Sequence, residues 1–255
     1  MKRIIAISAV LILGTASLVM VGTSNQTSVS VPATAQAQDV DTLAAQEVAM
    51  TAVQPTSVVE LFTSQGCSSC PPANNFAAKM SEDEDKLVLT YGVTYWDYLG
   101  WKDTFGDPEF TARQREYGKA LGASNIYTPQ LVINGATHSP RYSREDIEEM
   151  VLPDTAPEAD ITVADGRLVV SSTADTKAKL VIVSYLPGMQ SVDVRRGENG
   201  GRTLKLANVV TDVTPARWTG DVLNTNIKAK DGRAYAALFH HPKSARITTA
   251  AVYTP

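Results

Sequence analysis

The stretch Ser57-Val58-Val59-Glu60-Leu61-Phe62-Thr63-Ser64-Gln65-Gly66-Cys67-Ser68-Ser69-Cys70-Pro71-Pro72-Ala73 carries the most structural information in the chain. Residues 57–62 are β-branched or large and apolar apart from Ser57 and one charge, Glu60, and they predict a short strand. Pro71 and Pro72 cannot sit deep in a helix but suit its first turn, so a helix begins near Pro71 and continues through Ala73–Met80. Two cysteines separated by two residues thus lie between a strand and a helix. The reactive form of cysteine is the thiolate, and a helix N-terminus offers it free N–H groups and a positive dipole end. At this spacing the second sulfur can attack a mixed disulfide formed on the first. The expectation is that Cys67, further out on a solvent-reachable turn, is the nucleophile, and that Cys70 resolves. An inert clip or half of a metal site uses the same spacing.

Working outward, Leu87–Tyr95 reads as a second strand and Pro108–Leu121 as a helix ended by Gly122. Gln130–Ile133 reads as a third strand turned by Asn134-Gly135, a strong hairpin signal. Ser143 with Asp146 resembles a capping box opening a short helix to Met150. Alternation of strand and helix predicts a small α/β domain over residues 56–153. Thr128-Pro129 opens the third strand. A cis bond costs little only before proline, and Pro129 is expected to be cis and to face the cysteine pair, leaving the Thr128 backbone free for an extended partner. This combination points to a thioredoxin-like domain. Beyond Pro153–Pro157 the chain reads as strands with almost no helix, including an Asp165-Gly166 hairpin, and residues 157–255 predict an all-β, sandwich-like second domain.

Composition narrows the function classes. The 255 residues are 44% hydrophobic and 20% charged, an ordinary globular balance. A net charge of −4 argues against nucleic acid as the main partner, because phosphate binding needs a basic surface. Two cysteines are too few for a disulfide scaffold or an all-cysteine zinc site. No phosphate loop, paired carboxylates or Ser-His-Asp order stands out, so no cofactor is expected.

The N-terminus reads as an export signal. Lys2 and Arg3 precede an uncharged run from Ile4 to Gly22, and Ala35-Gln36-Ala37 offers a small-x-small cleavage pattern. Residues 1–37 are assigned as this signal, and the apolar run is also long enough for an uncleaved anchor, the one route to a membrane partner. Residues 38–55 read as a flexible linker. Export implies a periplasmic or secreted location, where a cysteine pair persists as a disulfide.

Other residues carry open alternatives. Glu60, seven residues before Cys67, either relays the proton that Cys70 must lose, or is an exposed edge residue or part of a structural ion pair. Tyr95-Trp96-Asp97-Tyr98-Leu99-Gly100-Trp101 reads as packing that holds a long connection down, with a roof over the cysteines as the alternative. Arg195-Arg196-Gly197-Glu198-Asn199-Gly200-Gly201-Arg202 reads as a hairpin loop with solvated charges, with an anion-binding nest as the alternative.

The stretch Glu60–Ala73 resembles an exported bacterial thioredoxin-like family catalogued as a domain of unknown function, and Tyr95–Asp103, Phe110–Arg115, Tyr127–Gly135 and Arg196–Leu204 resemble it too. The resemblance implies a thioredoxin-like domain, a family-specific β-rich domain and an envelope or secreted location, but no reaction. One departure stands out. The family pattern has His-Val-Asp before Tyr-Trp-Asp, and here those positions are Gly92, Val93 and Thr94, which speaks against metal binding or strong acid–base assistance. The expected function is thiol–disulfide exchange with protein thiols or disulfides of the cell envelope: Cys67 attacks, Cys70 resolves, Thr128 and Pro129 align the partner and Glu60 moves a proton. The alternatives are Cu(I) held by Cys67 and Cys70, and a non-catalytic interaction protein with a structural disulfide.

Overall fold

Period-two patterning and well-placed turn residues build most of the molecule, whose computed structural model describes residues 54–255. The export signal (1–37) and nearly all of the linker (38–55) lie outside the described residues. Strand β1 (Ser57–Thr63) leads through the cysteine loop to helix α1 (Pro71–Met80) and strand β2 (Lys86–Gly92). Helix α2 (Pro108–Leu121) starts at Asp107, whose side chain accepts from the Glu109 N–H, with Pro108 at the first helical position, and stops at Gly122. Strands β3 (Gln130–Ile133) and β4 (Thr137–Ser139) follow, then helix α3 (Arg144–Glu149), opened by a full Ser143/Asp146 capping box. The remainder is β5 (Ala159–Ala164), β6 (Arg167–Ser172), β7 (Lys179–Val194), β8 (Arg202–Ala216), β9 (Asp221–Lys228), β10 (Ala234–His240) and β11 (Ile247–Tyr253). No helix among the described residues is long and apolar enough to cross a membrane.

The expected α/β thioredoxin-like domain followed by a separate all-β sandwich is overturned. The chain is mostly β: one eight-stranded mixed sheet in the order β11-β10-β7-β8-β2-β1-β3-β4, and a three-stranded sheet β5-β6-β9, with few helices. The large sheet crosses the anticipated 153/157 boundary because β2 and β8 pair in parallel at Thr90 and Val209. Asn208 reinforces that seam: its backbone has φ 48°, and its side-chain amide donates to the Val88 carbonyl.

The core follows the same continuity. On one face, Phe62, Leu89, Tyr91, Phe110 and Tyr117 pack with Val183, Tyr185, Ala236 and Leu238, so both halves share one apolar layer. On the opposite face α1 and α3 cover β1 and β3 through Ala77, Met80, Leu131 and Ile147, while the small sheet covers β7 and β10 through Ile161, Leu168, Ile182 and Phe239. Strand β10 is buried along its whole length, and its alternate residues enter different layers.

The turn at Asn134-Gly135 joins the halves a second time. The Asn134 side chain accepts from the Val58 N–H and donates to the Met150 carbonyl, while its own carbonyl accepts from the Ile247 N–H. At Gly135 a Cβ would lie 2.1 Å from the Ala245 carbonyl oxygen, so only glycine admits this approach.

Candidate functional site

Cys67 and Cys70 form a disulfide with Cα atoms 5.4 Å apart. Cys70 is the N-cap of α1; its N–H donates to the Cys67 carbonyl and its carbonyl accepts from the Asn74 N–H. Pro71 and Pro72 occupy the first two helical positions and have no N–H to offer. Ala73 is left as the donor of that first turn, so the helix end supports a thiolate less than a proline-free turn would. The Thr128–Pro129 peptide bond is cis. The Ser69 hydroxyl lies 3.4 Å from the Thr128 carbonyl, to which it donates, and 3.3 Å from Cys67 Sγ. The structure thus brings Cys67, Cys70 and Thr128–Pro129 together.

Exposure departs from expectation. Sequence reading puts Cys67 on a solvent-reachable turn, yet Cys67 and Cys70 are both 0% exposed, and only Ser68 and Ser69 between them face solvent. The cysteine loop is contacted from the distant half of the chain. Strands β7 and β8 form a long hairpin whose tip, residues 195–201, lies against the cysteine loop. There Asn199, itself 0% exposed, donates through Nδ2 to the carbonyls of Gln65 (3.0 Å) and Cys67 (2.8 Å), and its Oδ1 accepts from Arg202. Next to it the Glu198 carboxylate accepts from the Ser68 N–H at 3.1 Å, and the Ser68 hydrogen bonds hold that carboxyl below the usual range. The loop expected to carry solvated charges is therefore bonded to the main chain of the cysteine loop.

The aromatic segment braces the same region from another side. Trp96 Nε1 donates to the Thr128 hydroxyl at 2.7 Å, and Trp101 Nε1 donates to Gln65 Oε1 at 2.9 Å. Asp103 anchors the loop's entry: its carboxylate accepts from the backbone N–H groups of Gln65 and Phe105. Burial pushes the Asp103 carboxyl up to about 6, against the downward pull of those two hydrogen bonds. Gly92, which stands where the resembling family pattern has His, is filled from outside. A Cβ there would lie 2.9 Å from the Phe105 backbone, so the 103–106 turn occupies the space a side chain needs.

Glu60 is placed elsewhere. It is 0% exposed and its carboxylate accepts from Arg113 at 2.8 Å and from the Tyr117 hydroxyl, both on α2. Arg113 also donates to Tyr117 at 2.9 Å. Burial pulls the Arg113 pKa down, but the adjacent Glu60 charge outweighs it and the net direction is up. No hydrogen bond joins Glu60 to either cysteine among the described residues, and the arrangement is that of a structural ion pair. Among these residues, no group of three or more His, Cys, Asp or Glu is placed to hold a metal ion.

A family model described as protein of unknown function (DUF1223) matches residues 58–239, a span that includes the disulfide, Thr128–Pro129 and the hairpin tip. The chain belongs to the DUF1223 family. Among solved structures it is similar to a protein from Agrobacterium tumefaciens, with 29% identity and a TM-score of 0.64 over 78% of this chain and 94% of that one. It also shares fold with HBP35 of Porphyromonas gingivalis, at 13% identity and a TM-score of 0.54, over 78% of this chain and 75% of that one. No curated protein matches it.

Sequence reasoning missed Asn199, Gln65 and Asp103 as site residues. Gln65 and Asp103 lie inside stretches quoted for the DUF1223 resemblance, and so does Asn199. Their place in those stretches was the available signal.

Proposed function

We propose that Cys67 and Cys70 form a covered thiol–disulfide exchange site for protein thiols in an oxidising envelope compartment. The proposed step begins with release of the hairpin tip. A partner thiolate then attacks Cys67 Sγ, the intramolecular S–S bond breaks, and Cys70 leaves as a thiolate at the start of α1. A second partner thiolate attacks the partner sulfur of the mixed disulfide and releases Cys67. The partner leaves as a disulfide, two electrons pass to the cysteine pair, and the two protons given up by the partner thiols end on Cys67 and Cys70. Run backwards, the same path reduces a partner. Thr128 would present its carbonyl and Ser69 its hydroxyl to the incoming chain, and Glu60 takes no part.

The observation that carries this reading is the Ser69–Thr128 contact, which sets the disulfide against the segment that would hold a partner. Burial of both sulfurs favours a second reading, an inert clip that stiffens the loop. The span of the bond weighs against it. Loop-closure entropy for so short a ring is worth about 2 kcal/mol, less than the ~3 kcal/mol of a 15-residue loop, so this pair is a poor staple. The cover, in turn, is held by a few hydrogen bonds to backbone groups of net worth about 3–5 kcal/mol in sum, which local opening can meet.

Reduction of the native protein by dithiothreitol tests this. Asn199→Ala is expected to accelerate reduction about 10- to 100-fold while the fold is retained. Equal rates in both proteins, tracking global unfolding in urea, would mean that the disulfide is only a clip.

A further inference from the structure

The segment that meets the disulfide is held in place by side chains. Residues 124–128, in the connection from α2 to β3, form no main-chain to main-chain hydrogen bond among the described residues. Gln114, on the buried face of α2 and itself 0% exposed, donates through Nε2 to the Tyr127 carbonyl at 2.7 Å and to Gln130 Oε1 at 2.9 Å. An amide nitrogen carries two hydrogens, and here they go to the residues on either side of Thr128–Pro129.

Trp96 ties the same segment to the cysteine loop. Its Nε1 donates to the Thr128 hydroxyl at 2.7 Å, while a Cβ on Gly66 would lie 3.3 Å from the Trp96 Cβ, so the residue is packed between the two. Ser69 closes the circuit by donating to the Thr128 carbonyl. The Thr128 N–H has no hydrogen-bond partner among the described residues and is free to meet another chain. Stability alone does not call for these donors, because apolar groups of the same shape in place of both members of a buried hydrogen bond are about neutral. What the amide and the indole N–H add is a fixed direction for Thr128.

We infer that Gln114 and Trp96 are positioning residues that make the site selective for cysteine thiols of an extended polypeptide over small thiols. This rests on the exchange reading of Cys67 and Cys70. A polypeptide lays its main chain along Thr128 and gains from finding that residue already in place. A small dithiol has no main chain to lay there and gains nothing. Both meet the same buried sulfur, so the burial of Cys67 divides out of the ratio of their rates.

Reduction of the full chain by a polar decapeptide carrying two reduced cysteines, and separately by dithiothreitol, tests the inference, with alkylation and mass measurement as the readout. The wild type is expected to react at least tenfold faster with the peptide. Gln114→Met, which keeps the shape of the side chain without its donors, is expected to lower the peptide-to-dithiothreitol rate ratio about tenfold. Trp96→Phe keeps a ring on Gly66 and removes the N–H, so it tests the same point with packing intact; a fall of about threefold is expected. A wild-type ratio near one, or a ratio that neither variant lowers, would overturn the positioning role and leave the exchange reading standing. No reaction of the wild type with either thiol under native conditions would remove the exchange reading, and the positioning role with it.

Discussion

Two polar clusters hang from β1 and are built in opposite ways. Within the strand, Glu60 meets Arg113 and Tyr117 side chain to side chain, and each charged group is satisfied by a partner sunk in the same apolar layer. Just past the strand's end, Asn199, Glu198 and Asp103 reach instead for backbone N–H and carbonyl groups of the cysteine loop. The first arrangement cannot lose a member without stranding a charge in the core. The second holds a loop by its main chain, through hydrogen bonds to Gln65, Cys67 and Ser68. Burial of polar groups therefore takes two forms in this molecule: a side-chain ion pair beside α2 and side-chain bonds to the main chain at the cysteine loop.

The largest effect that separates the two is expected at Arg113. Arg113→Ala leaves Glu60 buried without its counter-charge and should cost about 3–5 kcal/mol in urea unfolding, with no change in the rate of disulfide reduction under native conditions. A loss below about 1 kcal/mol, or a reduction rate that rises as it does for Asn199→Ala, would erase the distinction.

Acid titration gives a contrast of intermediate size. The Asp103 carboxyl, raised to about 6, favours the fold when protonated: its contribution is complete below about 3.8 and is lost as pH rises through 6. His240 is depressed to about 4, first by burial and then by Arg113, so its contribution is complete above about 6.5 and is lost as pH falls through 4. The two trends oppose each other across pH 4 to 6.5 and nearly cancel in the wild type. Asp103→Asn removes one of them, and urea unfolding of that variant should show stability rising with pH across this window relative to wild type, by about 2 kcal/mol. Parallel pH curves for the two proteins would contradict the burial assigned to Asp103.

Smallest of all should be Glu198→Gln. The carboxylate is exposed and holds one amide, so dithiothreitol reduction should quicken only about twofold, well short of the Asn199 variant. An effect equal to that of Asn199→Ala would shift the seal from the buried amide to the surface charge.

Much of the local structure was legible. Caps and turns at Gly122, Asn134-Gly135 and Ser143 mark element ends by chemistry that acts within a few residues, and the structure has elements ending there. The joining of β2 to β8 was not legible, because Thr90 and Val209 carry no mark of each other and either strand reads equally well inside a smaller sheet. The same limit hid the docking of the hairpin tip on the cysteine loop. Glycines and charges around Asn199 describe a hairpin turn whether or not its tip lands on anything, and two side-chain hydrogen bonds to main-chain carbonyls leave no periodic trace. The cysteine motif marked the disulfide pair, while a contact of its loop comes from a segment some 130 residues away.

The close approach at Gly135 has a consequence for how the chain can be divided. With Ala245 seated on the turn and Ile247 bonded to Asn134, a cut near residue 155 would sever the polypeptide without separating what it encodes. The two pieces would each expose half of a shared interior, and each would serve as the template on which the other completes itself.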